Sequence, residues 1–282
     1  MARIVVLSDI HLSPTHGFFW ENWCIAREFA NAAGAEAVIV NGDLAINGPD
    51  SDAEIAFAAR ALAGLRPTVL PLPGNHDIGD EPPGQDPEQI VNDDRLARWD
   101  RWFAADRFVC DAGSWRLIGV DAQLFGSGLE RERLQDRWLA EQLGAGGRPV
   151  ALFLHKPLFI ESATEDAATP ACMVPSARTR LLDTLNRADV RLVVSGHLHQ
   201  YRDRVAHGRR HLWLPAIAFA GGHALGGDAR CGLTVLDFCD GGVDITIERP
   251  PGLVSHDLEA VKGHGRYPFL RDMPPCPPPG AE

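Results

Sequence analysis

The chain has 282 residues, 45% hydrophobic and 23% charged, which suits a soluble globular protein and excludes global disorder or a collagen-like fibre. With 38 acidic and 27 basic side chains the formal net charge is −11, which argues against electrostatic binding of a nucleic-acid polymer or an anionic membrane. No stretch approaches the ~20 apolar residues needed to span a bilayer, and the six cysteines form no C-x-x-C pair, so reduced thiols and a cytoplasmic location are expected.

Short β-branched runs alternate with helical patterns, as in βαβ units. Arg3–Ser8 (RIVVLS) reads as a buried strand. Phe18–Ala33 reads as a helix, with Phe19, Trp23, Ala26 and Ala30 three or four apart and Gly34 as its stop. Ala37–Asn41 is a second strand, and Ser51 and Glu54 have capping-box spacing for a helix that stops at Gly64. Thr68–Leu72 is a third strand, shortened by its prolines. Residues 79–90 predict a surface loop before a helix around Asp94–Ala105. Strands follow at Arg107–Cys110 and Trp115–Val120, then a helix at Glu130–Leu143 carrying Leu134, Trp138 and Leu139. Val150–Leu154 is a buried strand, Ser176–Arg187 a helix with Leu181, Leu182 and Leu185 inward, and Arg191–Val194 a strand. The period then changes to two, so Arg204–Ala218, Leu233–Phe238 and Val243–Glu248 predict antiparallel strands. Residues 1–248 thus read as one domain, and the proline-rich 249–282 as an extended tail or arm.

Five of these strands end alike. RIVVLS leads to Asp9 and His11, AVIVN to Gly42 and Asp43, TVLPLP to Gly74, Asn75, His76 and Asp77, ALFL to His155, and LVVS to Gly196, His197 and His199. The carboxyl ends of strands in an α/β sheet are where ligands collect, so these side chains can converge from distant positions. Each string alone is weak, but their order and placement together are hard to attribute to capped turns. Asp9, His11, Asp43, Asn75, His155, His197 and His199 are mixed oxygen and nitrogen donors without thiolate, a set that suits Mn²⁺, Fe or Zn²⁺ rather than Ca²⁺. Seven donors exceed the needs of one ion, so two divalent metal ions sharing a carboxylate are expected.

The pattern D-x-H, G-D, G-N-H-D, H and G-H-x-H, complete and in order over residues 9–199, resembles the calcineurin-like metallophosphoesterase superfamily. Its short core and G-N-H-D form look closest to bacterial class III cyclic-nucleotide and glycerophosphodiester phosphodiesterases. The resemblance implies a four-layer α/β/β/α sandwich of two mixed sheets, the later strands forming part of the second sheet, with a binuclear metal site at the strand ends. It also implies that Asp9, His11, Asp43 and His199 hold one ion, and that Asp43 bridges to a second held by Asn75, His155 and His197. His76 would contact the phosphate and help protonate the leaving oxygen, Asp77 would orient His76 or simply form a turn, and a hydroxide between the ions would be the nucleophile.

The expected function is hydrolysis of a small phosphodiester, a 3′,5′-cyclic nucleotide or glycerophosphodiester being candidates, with a phosphomonoesterase as the alternative. A nuclease and a non-catalytic interaction module rank below both. Among other residues, Phe18, Phe19, Trp20 and Trp23 read as core rather than as a base-stacking platform. His16 reads as a solvent-facing loop residue, and Arg202 and Arg204 as structural or solvated. His223 lies in a glycine-rich loop and is a candidate substrate contact, and Lys156–Pro175 is either a substrate-selecting lid or a surface loop. The oligomeric state stays open, a homodimer through the tail being one reading.

Overall fold

The protein is described here from a computed structural model, covering residues 1–221, 225–240, 242–257 and 275–279. Alternation along the first strand sets the layering. In β1 (Ala2–Leu7), Ile4 and Val6 face a core between two sheets, while Val5 and Leu7 face a helical layer. The chain continues through α1 (Trp20–Ala32), β2 (Ala37–Asn41), α2 (Asp52–Leu62), β3 (Thr68–Leu72), the single turn α3 (Asn75–Ile78) and α4 (Asp93–Trp102). A second run comprises β4 (Phe108–Ala112), β5 (Trp115–Gly119), α5 (Glu130–Gly144), β6 (Val150–Leu154), α6 (Pro175–Leu185) and β7 (Val190–Ser195). Four strands follow, β8 (Arg202–Ala206), β9 (Arg209–Trp213), β10 (Leu233–Cys239) and β11 (Gly242–Glu248).

The first sheet has the order β11-β10-β1-β2-β3, with β1, β2 and β3 parallel and β10 antiparallel to both neighbours. The second has the order β4-β5-β6-β7-β9-β8, parallel from β5 to β9 and antiparallel at both edges. Trp23, Ile55 and Trp99 cover the outer face of the first sheet, and Leu139, Leu181 and Leu185 that of the second. The result is a four-layer α/β/β/α sandwich of two mixed sheets. Pro71 fits because β3 is an edge strand.

Several local expectations are corrected. Arg204–Ala218 is not one strand: His207 and Gly208, with φ of 50° and 74°, make the positive-φ turn that folds β8 onto β9. The later strands also divide between the sheets, since β9 pairs with β7 whereas β10 and β11 return beside β1. The capping box at Ser51 does not form; Glu54 instead accepts a hydrogen bond of 2.7 Å from Ser13 Oγ. In α5 the inward residues are Glu132, Gln135, Leu139 and Leu143, and Leu134 is exposed. The described part of the tail is anchored. The Asn22 amide pairs with the N–H and C=O of Val254 at 2.9 and 2.7 Å, and Cys276 exchanges backbone hydrogen bonds with Thr15 and Gly17.

Candidate metal centre

All five donor-bearing strand ends meet at one edge of the sandwich, β1, β2 and β3 from one sheet facing β6 and β7 from the other. Beyond each strand the backbone turns sharply. Asp9, His11, Asp43, His197 and His199 all have φ between 44° and 69°, a region that costs energy for residues with a side chain. Glycines allow the close packing: a Cβ on Gly74 would lie 2.2 Å from Asp43 Oδ1, and one on Gly196 would lie 2.1 Å from Ser8 Oγ.

Two groups of ligand atoms result, Asp9, His11, Asp43 and His199 in one and Asp43, His155 and His197 in the other. Asp43 belongs to both. Asn75, buried at the start of α3, lines the same cleft as Asp43 and His197. Three imidazoles are locked through the nitrogen that faces away from the cluster. His155 Nδ1 bonds Asn41 O at 2.8 Å, His199 Nδ1 bonds Phe219 O at 2.9 Å, and His197 Nε2 bonds Pro170 O at 2.9 Å. A ring nitrogen donating to a carbonyl leaves its partner as a lone-pair ligand.

The opposing nitrogens are crowded as ligand atoms would be. His11 Nε2 and His199 Nε2 lie 3.2 Å apart, and His199 Nε2 lies 3.2 Å from Asp9 Oδ1. His155 Nε2 is buried 3.2 Å from Asp43 Oδ2 without hydrogen-bond geometry to any described residue. Burial opposes the charged forms, yet Asp43 and Asp9 outweigh it and hold the His155 imidazole up at about 10. The two carboxylates thus favour a positive charge at this position. The donor set, its orientation and its charge all fit two divalent ions.

His76 donates its backbone N–H to Asp43 Oδ1 at 2.8 Å, and its Nδ1 lies 2.8 Å from Ile46 O. That contact fixes the orientation of the ring beside the Asp43 turn. Asp77 does not orient the ring in the manner envisaged. Its carboxylate accepts the amides of Leu44, Ala45 and Gly74 at 2.8–3.1 Å, stapling the Asp43 turn to the Asn75 turn. Phe19 and Trp23 are buried, and Phe19 packs 5.3 Å from Phe219, so this aromatic run supports the wall of the site. His16 Nδ1 bonds Thr15 Oγ1 at 2.9 Å. His223 lies outside the described residues.

Other contributors have no local signature. Phe219 packs its ring 4.1 Å from that of His199 while its carbonyl fixes the same histidine. Lys156 is buried and bonds Asp80 at 2.9 Å and Glu81 at 2.7 Å, so residues 79–90 are not a simple surface loop. The segment after it is tied down by Arg202 and Arg204, which bond Glu161, and by Arg178, which bonds Leu158 O and Glu165 O. It walls a cleft of about 320 Å³ lined by Asn75, His76, Gln85, Pro170, His197 and Gln200 among others. A larger groove of 520 Å³ lies at the opposite ends of β6 and β7, contains none of the ligands and carries no chemistry comparable to theirs.

Comparison with known proteins agrees with this geometry. Residues 2–201 match the model of the calcineurin-like phosphoesterase family. The human serine/threonine-protein phosphatase CPPED1 is 31% identical over 148 residues, 50% of this chain and 44% of that protein, and its rat counterpart is 28% identical over 141 residues. The chain therefore spans less than half the length of these curated relatives. In fold it resembles the yellow lupin purple acid phosphatase PPD1, with TM-score 0.66, 15% identity and 91% of this chain and 52% of that chain covered. It likewise resembles a dimetal phosphatase from Danio rerio, with TM-score 0.59, 14% identity and 87% and 95% covered. The family match over most of the chain, with two groups of candidate metal ligands that share Asp43, makes this chain a member of the calcineurin-like phosphoesterase family.

Proposed function

We propose that the protein is a phosphomonoesterase that works on small phosphoesters with two divalent ions, Mn²⁺, Fe or Zn²⁺. The observation that carries the two-ion reading is the pair of ligand groups sharing Asp43. The monoester preference is supported by relatives named serine/threonine-protein phosphatase. Asp9, His11, Asp43 and His199 would hold one ion, and Asp43, Asn75, His155 and His197 the other. When bound, the ions would activate water and offset the charge of the phosphoryl oxygens. The chain itself fixes the ligands in advance through Asn41 O, Phe219 O and Pro170 O, which lowers the reorganisation needed during reaction. His76 would pass a proton to the leaving oxygen, a role supported by the hold of Ile46 O on its ring through Nδ1.

Phosphodiester hydrolysis is the second reading, favoured by the G-N-H-D form of residues 74–77, because one two-ion core serves both ester classes. The deciding experiment compares kcat/KM for p-nitrophenyl phosphate and bis(p-nitrophenyl) phosphate on Mn²⁺-loaded protein. A preference for the monoester is expected. A strong preference for the diester would reverse the assignment and direct attention to cyclic nucleotides and glycerophosphodiesters.

A further inference from the structure

Four residues of α1 are buried, and Asn22 is the only polar one, beside Trp23, Ala26 and Ala30. A carboxamide removed from water must fill its hydrogen-bonding capacity or cost the fold stability. Asn22 fills it by joining two distant segments. Its Nδ2 donates to Ile217 O at 2.8 Å and to Val254 O at 2.7 Å, and its Oδ1 accepts the Val254 N–H at 2.9 Å. The strip Ala216–Phe219 is thereby held between the first sheet and the segment that follows β11. On the sheet side, Ile217 and Ala218 donate their N–H groups to Ser8 O and Asp9 O, both at 3.0 Å. On the other side, Ala220 N–H donates to His256 O at 2.9 Å, and Cys231 N–H donates to Ser255 Oγ at 2.9 Å. Phe19, also from the start of α1, lies 5.3 Å from Phe219 and 5.6 Å from His256.

This strip bears on two ligands of the same group. Ala218 N–H fixes the carbonyl of Asp9, and Phe219 O holds His199 through Nδ1 at 2.9 Å. Asp9 and His199 have φ of 54° and 53°, so both turns depend on bonds from outside them to keep their shape. The other group is held from elsewhere, His155 through Asn41 O and His197 through Pro170 O. Losing a partner that orients a metal ligand costs about 10–100-fold in affinity, because the ligand is no longer fixed before the ion arrives. Asn22 acts one step further back, through the strip, so the lower end of that range applies.

We infer that Asn22 is a positioning residue for the ion held by Asp9, His11, Asp43 and His199, clamping the 216–219 strip against residues 254–256 so that this site, and not the other, is fixed in advance. This rests on the two-ion reading above. The test titrates chelated full-length protein with Mn²⁺ by calorimetry and reads the number and affinity of ions bound. Wild type should take up two. Asn22→Ala should weaken one of them about tenfold and leave the other unchanged, and the Mn²⁺ concentration that half-activates hydrolysis of p-nitrophenyl phosphate should rise in step while kcat at saturating Mn²⁺ recovers. In a His197→Ala background, which retains the group containing Asp9 and His199, Asn22→Ala should cause the same tenfold loss. Gln135→Ala is the control, since that buried amide on α5 clamps the N–H and C=O of Asp121 at 2.9 Å and positions no ligand. It should lower Tm and move neither affinity. Should Asn22→Ala not fold, Asn22→Ser, which keeps one donor, carries the test with a loss of several-fold at the same site. Two unchanged affinities in the Asn22 variants, or an equal loss at both sites matched by Gln135→Ala, would make Asn22 a residue of the fold alone and overturn the inference. Wild type binding a single Mn²⁺ would instead overturn the two-ion reading, and the inference with it.

Discussion

The ligand residues occupy backbone that costs energy. Five of them hold positive φ, a conformation worth about 1–3 kcal/mol of strain each where the side chain is bulky. Such strain persists where surrounding bonds over-determine it: His197 N–H donates to Asp9 Oδ1 at 3.1 Å, and His11 N–H to Asp43 O at 3.0 Å. His76 is held differently, by Asp43 and Ile46 O, and belongs to neither ligand group. His76→Ala should therefore leave two ions per chain by elemental analysis while lowering kcat by about 10²–10⁴-fold. Unchanged turnover, or a loss of metal equal to the loss of rate, would remove its assigned role. The ligands were legible in the sequence because each follows a recognisable strand end, usually through a glycine. Their fixing partners were not, since Asn41, Pro170 and Phe219 act through backbone carbonyls, which every residue possesses.

At the scale of elements, buried polar side chains fasten helices to the loops that carry the ligands. Glu54, on α2, receives Ser13 Oγ, and Ser13 in turn accepts the amides of Thr15 and His16. Burial pushes the Glu54 carboxyl up to about 7, beyond what Ser13 and nearby amides can offset. The folded state therefore binds this proton more tightly than the unfolded chain, and stability falls as pH rises from about 4.5 through about 7. That interval corresponds to about 3 kcal/mol. Glu54→Gln keeps an acceptor for Ser13 but cannot ionise, so urea unfolding should find it equal to wild type near pH 4.5 and more stable at pH 8. A constant difference between the two proteins across that range would rule out Glu54 as the titrating group. Polar fastening also explains where hydrophobic patterning misled. Leu134, one of the apolar residues carried by this helix, is exposed, and the inner face of α5 is taken by Gln135, bonded to the Asp121 backbone, and Glu132, bonded to the amides of Gly126 and Gly128. Lys156 could not be read in advance for a related reason, because its two carboxylates lie more than seventy positions away.

For the whole molecule, the arrangement of the candidate ligands would make bound ions structural as well as chemical. Asp9, His11 and Asp43 follow strands of the first sheet, whereas His155, His197 and His199 follow strands of the second. Each group draws on both sheets, so an ion at either position cross-links the two halves of the sandwich at the edge where the apolar interlayer ends. Without an ion the buried carboxylates of Asp9 and Asp43 face the neighbouring imidazoles with no divalent charge between them. Binding only to the folded state stabilises by mass action, about 2.7 kcal/mol per site at a hundred times Kd, which for a chain of this size raises Tm by roughly 5 °C. Chelation should lower Tm by that amount and Mn²⁺ should restore it. The restored increment should shrink as pH falls, because each histidine ligand must lose its proton to bind. Asp43→Asn weakens the ligand common to both positions, so its Tm should respond little to Mn²⁺ or to chelator, whereas His197→Ala should keep part of the response through the group containing Asp9, His11 and His199. If wild type with two ions bound unfolds at the same temperature as the chelated protein, the ions do not join the sheets, and the sandwich is held closed by its apolar interlayer alone.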